Sequence, residues 1–213
     1  HTGYKYKSCC GKDICSGCIH AVRIRDRVGL CPFCRTPAPT TDGEMIEQYK
    51  KRVELDDAVA NYNLGCWYSD GIYGLPQDHA KALELWHQAG KLGYSYYNIG
   101  GAYYFGRGVE RDEKKANHYY ELAAMWGEVY ARYNLGCFEE EAGNMDRALK
   151  HHMIAVGFGE NDSLELIKQI FINGHATKDD YAKALRAYQA NLVEIKSPQR
   201  DEAAAYSDKF KYY

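Results

Sequence analysis

Small and apolar residues recur along the chain in two alternating patterns, with a period of about 35 residues. The first pattern is YNLGCWYSDG at 62–71, and it returns at 97–106, at 133–143 and, weakly, at 166–174. The second pattern follows each occurrence, as AKALELWHQA, KKANHYYELA, RALKHHMIA and AKALRAYQA. Both patterns have helical spacing, and two helices per period predict an array of helix-turn-helix repeats.

Glycine and alanine at equivalent positions predict close packing between the two helices of each pair. They recur at Gly65, Gly100, Gly136, Ala82, Ala116 and Ala148. Gly71, Gly106 and Gly174 stand where the chain leaves the first helix, and a turn there favours the positive φ that glycine adopts without penalty. Because one pair cannot bury its own apolar face, neighbouring pairs must stack into a solenoid. The predicted fold class is therefore mainly α, with about four repeats.

These repeats resemble the Sel-one-like subclass of tetratricopeptide repeats over residues 57–193, through loops such as DGIYGLPQDHAKAL and GRGVERDEKKAN. The resemblance implies a protein or peptide partner on the repeats, with the first helix of each pair on the concave face. Asn63, Asn98 and Asn134 recur at one position of that helix. There they would either bond a neighbouring backbone or clamp an extended peptide.

Six of the eight cysteines form two clusters, CCGKDICSGC at 9–18 and CPFC at 31–34. Clustered C-x2-C pairs without a secretory signal favour metal binding over disulfides, and zinc takes four such ligands in a tetrahedron. One arrangement is a single site built from both C-x2-C pairs, with the ligands Cys15, Cys18, Cys31 and Cys34. It leaves Cys9 and Cys10 without a metal.

The alternative arrangement has two interleaved sites and uses all six cysteines. Its first site would consist of Cys9, Cys10, Cys31 and Cys34. Cys15 and Cys18 would form half of a second site, and that site would need another pair of ligands from upstream of His1.

CCGKDICSGCIHA and GLCPFCRTP resemble the second half of a RING domain, the cross-braced two-zinc module of ubiquitin ligases, over residues 9–37. Lys12 stands where most RING domains carry a histidine, so the resemblance implies the all-cysteine variant, with Cys9 and Cys10 as ligands. It also implies that Pro32 helps to dock a ubiquitin-conjugating enzyme. Arg35 would contact both that enzyme and ubiquitin, since its planar fork can hold two carbonyls.

The predicted domains are a zinc module at 1–37, a linker and connecting helix at 38–56, the repeats at 57–198 and a tail at 199–213. Pro37 and Pro39 exclude a helix, whereas Thr41 and Glu44 have the spacing of a capping box, so a helix should begin near Asp42. Stacked helices should fold without zinc, whereas the zinc module should not.

Composition adds limits on the partners. The net charge is only −2, and no apolar run approaches the roughly 18 residues of a membrane span, so we expect a soluble, intracellular protein of the cytoplasm or nucleus, with no membrane partner. The sequence opens on His1 without a signal peptide, so we expect a fragment of a longer chain. Basic residues centred on RIRDR at 23–27 predict a solvated loop rather than a nucleic-acid site, because no base-reading element accompanies them.

These patterns together predict a RING-type ubiquitin ligase, which would dock a ubiquitin-conjugating enzyme and ubiquitin on the zinc module and recruit a substrate or partner through the repeats. The alternative is a zinc-stabilised interaction adaptor without ligase activity. The sequence contains no glycine-rich phosphate loop and no nucleophile elbow, so we expect no independent hydrolase or transferase.

Overall fold

The computed structural model describes residues 4–15, 18–19, 29–90 and 92–194. The basic segment at 23–27 and the predicted tail at 199–213 lie outside the described residues. The described part of the chain forms two compact units, one that ends at Gly90 and one that follows it.

The first unit combines a hairpin with three helices. Strands β1 (Tyr4–Lys7) and β2 (Lys12–Cys15) pair antiparallel, with Tyr4 opposite Cys15 and Lys7 opposite Lys12. The helices are α1 (Asp42–Val53), α2 (Ala58–Asp70) and α3 (His79–Gln88). The hydroxyl of Thr41 accepts from the Glu44 amide, as a capping box requires, and the Glu44 carboxylate accepts from the amide and the hydroxyl of Thr40.

The second unit consists of three helix pairs. They are α4 (Gly93–Phe105) with α5 (Glu113–Met125), α6 (Val129–Glu141) with α7 (Met145–Gly157), and α8 (Asn161–Ile172) with α9 (Lys178–Glu194). Its apolar interior includes one cluster of small and aromatic residues on α5 and α6 and a second cluster shared by α7, α8 and α9.

A glycine of the first helix packs against a ring of the second helix in three of the four pairs. A Cβ atom added at Gly65, Gly100 or Gly136 would lie less than 3.0 Å from the nearest ring atom. The rings are those of Trp86, Tyr120 and His152. Real Cβ atoms essentially never approach so closely, so these positions require glycine, as the repeat pattern predicts.

The turns also follow the sequence prediction. Gly71, Gly106 and Gly174 have φ angles of 65°, 67° and 79°, which a residue with a Cβ atom adopts only with strain. Asp78 and Asp112 then begin the second helices of the first two pairs, where their carboxylates accept from the amides of Lys81 and Lys115.

The four helix pairs confirm the predicted fold class, a mainly helical repeat protein with about four repeats. The fourth pair also consists of two helices, although its sequence matches the repeat pattern only weakly and it lacks the glycine that packs against a ring in the other three pairs. Among the described residues, no helix has the length and apolar character that crossing a membrane would require. The predicted domain boundaries remain predictions.

Candidate metal centre and repeat surface

Four cysteines form one cluster in the first unit. Cys9 and Cys10 lie in the turn that joins β1 to β2, whereas Cys31 and Cys34 belong to the loop that precedes α1. The sulfur atoms of all four residues lie within 4.8 Å of one another. Cys10 Sγ is 3.8 Å from Cys31 Sγ, and Cys9 Sγ is 3.4 Å from Cys34 Sγ.

Backbone hydrogen bonds hold both halves of this cluster. The amides of Cys10 and Gly11 donate to the carbonyl of Lys7 at 3.1 and 2.7 Å, which closes the hairpin turn. In the second half, the Cys31 amide donates to the Thr36 carbonyl at 2.8 Å, and the Arg35 amide donates to the Cys31 carbonyl at 3.0 Å. The four thiols are therefore presented by two tight turns.

The cluster has the geometry of a tetrahedral thiolate site. Zinc binds thiolates at about 2.3 Å, so two ligands of one tetrahedron are separated by about 3.8 Å, close to the distances in the cluster. Burial raises the pKa of the Cys9 thiol, whereas hydrogen bonds from Thr36 lower the pKa of the Cys34 thiol to about 6. A divalent cation would favour the thiolate form of all four residues. These residues could therefore hold a metal ion.

Cys15 and Cys18 stand apart from this cluster. The amide of Cys18 lies 3.2 Å from Cys15 Sγ and donates to it, so these two residues form a local knuckle of their own. The single site that combines Cys15 and Cys18 with Cys31 and Cys34 is therefore not the arrangement that the structure brings together. Cys9 and Cys10 take the place of that pair, as the interleaved alternative predicts.

The loop that contains Cys31 and Cys34 also carries Pro32 and Arg35, the two residues assigned to contacts with a ubiquitin-conjugating enzyme and ubiquitin. Pro32 is half-buried and Arg35 is exposed, with a left-handed φ of 61°. Phe33 lies between them with 44% of its surface exposed, and the Lys12 ammonium sits 5.3 Å from the centre of its ring. No contact in the structure tests the roles assigned to Pro32 and Arg35.

The recurring asparagines are half-buried on the first helices. The Asn63 amide donates to the carbonyl of Val59 one turn earlier, at 2.7 Å. Asn134 instead forms hydrogen bonds with Tyr97 and Tyr120. Asn98 is half-buried at the corresponding place on α4.

An aromatic surface surrounds Asn134. The ring centres of Tyr97 and Tyr130 lie 6.2 Å apart, and Tyr130 is 58% exposed. Tyr104 packs edge-on against Phe138 at 5.4 Å, again between α4 and α6. Consecutive repeats therefore share a face of tyrosine rings and amides, which offers both apolar contact and hydrogen bonds.

A second group of polar residues, which the sequence pattern did not reveal, lies inside the repeats. His152 is fully buried, with Nε2 2.8 Å from Glu140 Oε1 and Nδ1 3.3 Å from Ser163 Oγ. These are the residue types of a hydrolytic triad, but Ser163 is also fully buried, so no substrate could reach its hydroxyl. The group is a buried hydrogen-bond network, and no repeat signal marks it because His152 replaces an aromatic residue.

The family comparison agrees with the helix pairs. Residues 58–94 and 94–125 match the model of the Sel1 repeat. Residues 58–125 therefore form two Sel1 repeats. The two matched segments correspond to the first two helix pairs, whose loops carry the predicted family pattern, and the third and fourth pairs extend beyond them.

Two solved structures have the same fold as this chain. A Sel1 repeat protein from Oxalobacter formigenes is 19% identical, with a TM-score of 0.64, and the match covers 91% of this chain and 78% of that one. The protective antigen c5321 of uropathogenic Escherichia coli is 20% identical, with a TM-score of 0.62, and the match covers 86% of this chain and 39% of that one.

Two curated proteins of Arabidopsis thaliana are similar in sequence. They are the ERAD-associated E3 ubiquitin-protein ligase components HRD3B, 30% identical over 111 residues, and HRD3A, 32% identical over 112 residues. The matches cover 52% and 46% of this chain. They span only 18% and 16% of the lengths of those two relatives.

Proposed function

We propose that this chain is a protein-interaction scaffold of a ubiquitin-ligase assembly, in which the Sel1 repeats bind the partner and the clustered cysteines hold a structural zinc ion. The observation that carries the proposal is the similarity of the repeats to two proteins named as components of an E3 ubiquitin-protein ligase. Of the two functions that the sequence left open, this is the adaptor rather than the ligase. We place it in the cytoplasm or nucleus.

The tyrosine and asparagine face of α4 and α6 is our candidate for the partner surface. Tyr130 is an exposed aromatic residue beside the half-buried Asn134, and such residues supply large contact areas with a polar edge. The side-chain amide of Asn134 is hydrogen-bonded to Tyr97. A peptide that lies across Tyr97 and Tyr130 could replace this hydrogen bond with one from its own backbone. The proposal therefore assigns Asn98 and Asn134 to partner binding, with Asn63 as a helix-stabilising counterpart.

Photo-crosslinking tests this assignment. A photoreactive phenylalanine analogue at Tyr130 of the full-length protein should capture a ubiquitin-ligase subunit in cells. The matched control carries the analogue at Ile154, which is 42% exposed on the second helix of the same repeat. Equal capture of the same subunit from both positions would contradict the proposed surface, and capture of partners unrelated to ubiquitin transfer would contradict the proposed assembly.

A zinc ion would have a structural role in this scaffold. Cys9, Cys10, Cys31 and Cys34 would complete its tetrahedron and leave no open position for a catalytic water. Such a centre would fix two short turns that have little apolar core of their own.

A second candidate function is that of a RING-type ligase, which would also use a ubiquitin-conjugating enzyme and ubiquitin. Its support is the separation of the Cys15 and Cys18 knuckle from the four-cysteine cluster, because an interleaved ligand order is the pattern of that module. In single-turnover assays, the full-length protein should then accelerate ubiquitin discharge from a conjugating enzyme.

Arg35→Asn is the informative variant in that assay, because asparagine tolerates the left-handed backbone of this position but lacks the guanidinium. It should lose most of the discharge and keep its metal. Arg186→Gln, at an exposed arginine of α9, is the control. If the wild-type protein accelerates ubiquitin discharge from none of a panel of conjugating enzymes, the ligase function is contradicted and the scaffold function remains.

A further inference from the structure

The hairpin that carries Cys9 and Cys10 is bound directly to the first two helices. The Tyr6 hydroxyl, on β1, donates to Asp57 Oδ2 at 2.7 Å, and Arg52 Nε, at the end of α1, donates to the same oxygen at 2.9 Å. Asp57 lies immediately before α2. One carboxylate therefore joins the hairpin to two helices.

The other oxygen of this carboxylate caps a helix. Asp57 Oδ1 accepts from the amides of Val59 and Ala60, both at 3.1 Å, and so caps the N-terminus of α2. Burial opposes the ionisation of Asp57, but the hydrogen bonds from Arg52 and Tyr6 outweigh it, so its pKa lies below the ordinary value. Asp57 is therefore an anion, and both of its carboxylate oxygens accept hydrogen bonds.

Further contacts surround this carboxylate. The Ser8 hydroxyl donates to Gln48 Oε1 on α1 at 2.7 Å. The Tyr6 ring lies 5.5 Å from the ring of Tyr49, which in turn lies 4.5 Å from Trp67 on α2. These contacts form a continuous polar and aromatic interface between the hairpin and the helices.

Gly11 shows how closely the turn approaches the helices. A Cβ atom at this position would lie 2.7 Å from Asp57 Oδ2 and would also overlap the Arg52 guanidinium. Its φ of 70° is a second reason for glycine. The turn from Ser8 to Gly11 is thus hydrogen-bonded to α1 through Ser8, and Gly11 packs against the Arg52 and Asp57 side chains. Cys9 and Cys10 lie between these two contacts.

We propose that the hairpin interface joins the four-cysteine site and the α1 and α2 helices into one cooperative unit, with Tyr6, Arg52 and Asp57 as positioning residues for the metal ligands. Metal at the cysteines then stabilises these two helices, and the helices hold Cys9 and Cys10 ready for the metal. The inference rests on the metal site of the proposed function. It revises the expectation that all repeat helices are indifferent to zinc.

The physical basis is thermodynamic linkage. A two-stranded hairpin has marginal stability in water, and metal binding supplies folding free energy to short segments of this kind. When only a fraction of molecules has the ligands in place, the apparent affinity for the metal falls by that fraction. The contacts of Tyr6 and Arg52 with Asp57 raise the fraction of molecules that have the ligands in place. By thermodynamic reciprocity, the bound metal stabilises these same contacts.

Hydrogen exchange of the full chain, with zinc as the probe, tests the linkage. Zinc loading should slow amide exchange in α1 and in the first turn of α2, whereas α6 and α7 of the second unit should exchange at unchanged rates. Zinc that binds the protein while α1 and α2 exchange at unchanged rates would overturn the inference. Wild-type protein that binds no zinc would instead overturn the metal site of the proposed function.

A matched pair of tyrosine variants separates the interface from the strand that carries it. Tyr6→Phe keeps the ring but removes the hydroxyl that donates to Asp57, and it should weaken zinc binding about tenfold in competition with a chromogenic chelator. Tyr4→Phe is the control, because Tyr4 lies on the same strand with 74% of its surface exposed. Its zinc affinity should equal that of the wild type, and equal affinities for both variants would contradict the positioning role of Tyr6.

A variant of the carboxylate checks the folded state. Asp57→Asn retains a side chain that caps α2 well but loses the ionic contact with Arg52. We expect an unchanged helical signal with weaker zinc binding and a smaller effect of zinc on α1 exchange. Zinc affinity that matches the wild type would show that the ion pair does not position the ligands.

Discussion

The side chain that packs against the first-helix glycine differs from pair to pair, being Trp86, Tyr120 and then His152. The glycines could be predicted from the repeated sequence, because they recur at one position. The histidine could not, because nothing in its neighbours indicates that it is buried or that it bonds Glu140 and Ser163. Its environment results from the packing of three consecutive helices, α6, α7 and α8, which the local sequence pattern does not reveal.

Gly136→Ala should destabilise the protein by about 1–3 kcal/mol, because the new methyl group would overlap the His152 ring. Gly157→Ala is the control, since a Cβ atom there has no neighbour within 4 Å and alanine favours a helix by about 1 kcal/mol over glycine. Urea unfolding should show a lower midpoint for the first variant and an equal or higher one for the second. Equal losses from both would contradict the close packing of α6 on α7.

The stability of the second unit should fall as the pH falls below 6.5. Burial lowers the pKa of His152 from 6.5 to about 4, so the unfolded chain binds a proton between these values and the folded chain does not. Burial also lowers the pKa of the adjacent His151, which acts in the same direction, whereas burial raises the pKa of Glu140, which acts in the opposite direction. The Tyr133 ring, which also faces His152, stays neutral in this range.

His152→Gln isolates the contribution of that one imidazole. Between pH 7 and pH 4 the wild type should lose up to about 3 kcal/mol more unfolding free energy than the variant. Chemical denaturation at a series of pH values measures this difference. Parallel stability curves for the two proteins would show that His152 is not buried in its neutral form.

At the scale of single helices, the sequence predicted the start of α1 near Asp42 and the turns at Gly71, Gly106 and Gly174, because caps and turns depend on local sequence. Asp78 and Asp112 cap their helices through their side chains, whereas Asn144 begins α7 without a capping hydrogen bond from its side chain. The hairpin of β1 and β2 was not predicted, although the alternation of Tyr and Lys at 4–7 is typical of a strand. The hairpin residue Tyr6 bonds Asp57, which is 51 residues away in the sequence. A contact between such distant residues leaves no local sequence pattern.

Asp112→Ala should cost about 1 kcal/mol of stability, because it removes the hydrogen bond to the Lys115 amide. Asn144→Ala stands at the equivalent position of the next pair and should cost less, since its amide contacts Glu139 on the surface instead of capping α7. Thermal unfolding of both variants provides the comparison. An equal or larger loss from Asn144→Ala would contradict the assignment of these caps.

At the scale of the whole molecule, a repeat scaffold and a cysteine site occupy one chain. The first three repeats could be predicted because each of them repeats the same sequence pattern, whereas the fourth matches that pattern only weakly. The sequence spacing alone could not decide between the two cysteine arrangements, because each one supplies four thiolate ligands to a tetrahedral metal ion. It required the fold of two turns that are about 20 residues apart, which bring Cys9 and Cys10 to Cys31 and Cys34.

The central claim is that these four cysteines hold one zinc ion, and X-ray absorption at the zinc edge of the purified protein tests it most directly. We predict a shell of four sulfur atoms at about 2.3 Å, which Cys31→Ser should disrupt with loss of zinc. Cys66→Ser, at a half-buried cysteine of α2, should leave the spectrum and the zinc content unchanged. Protein without zinc, or an unaltered sulfur shell in Cys31→Ser, would contradict the account.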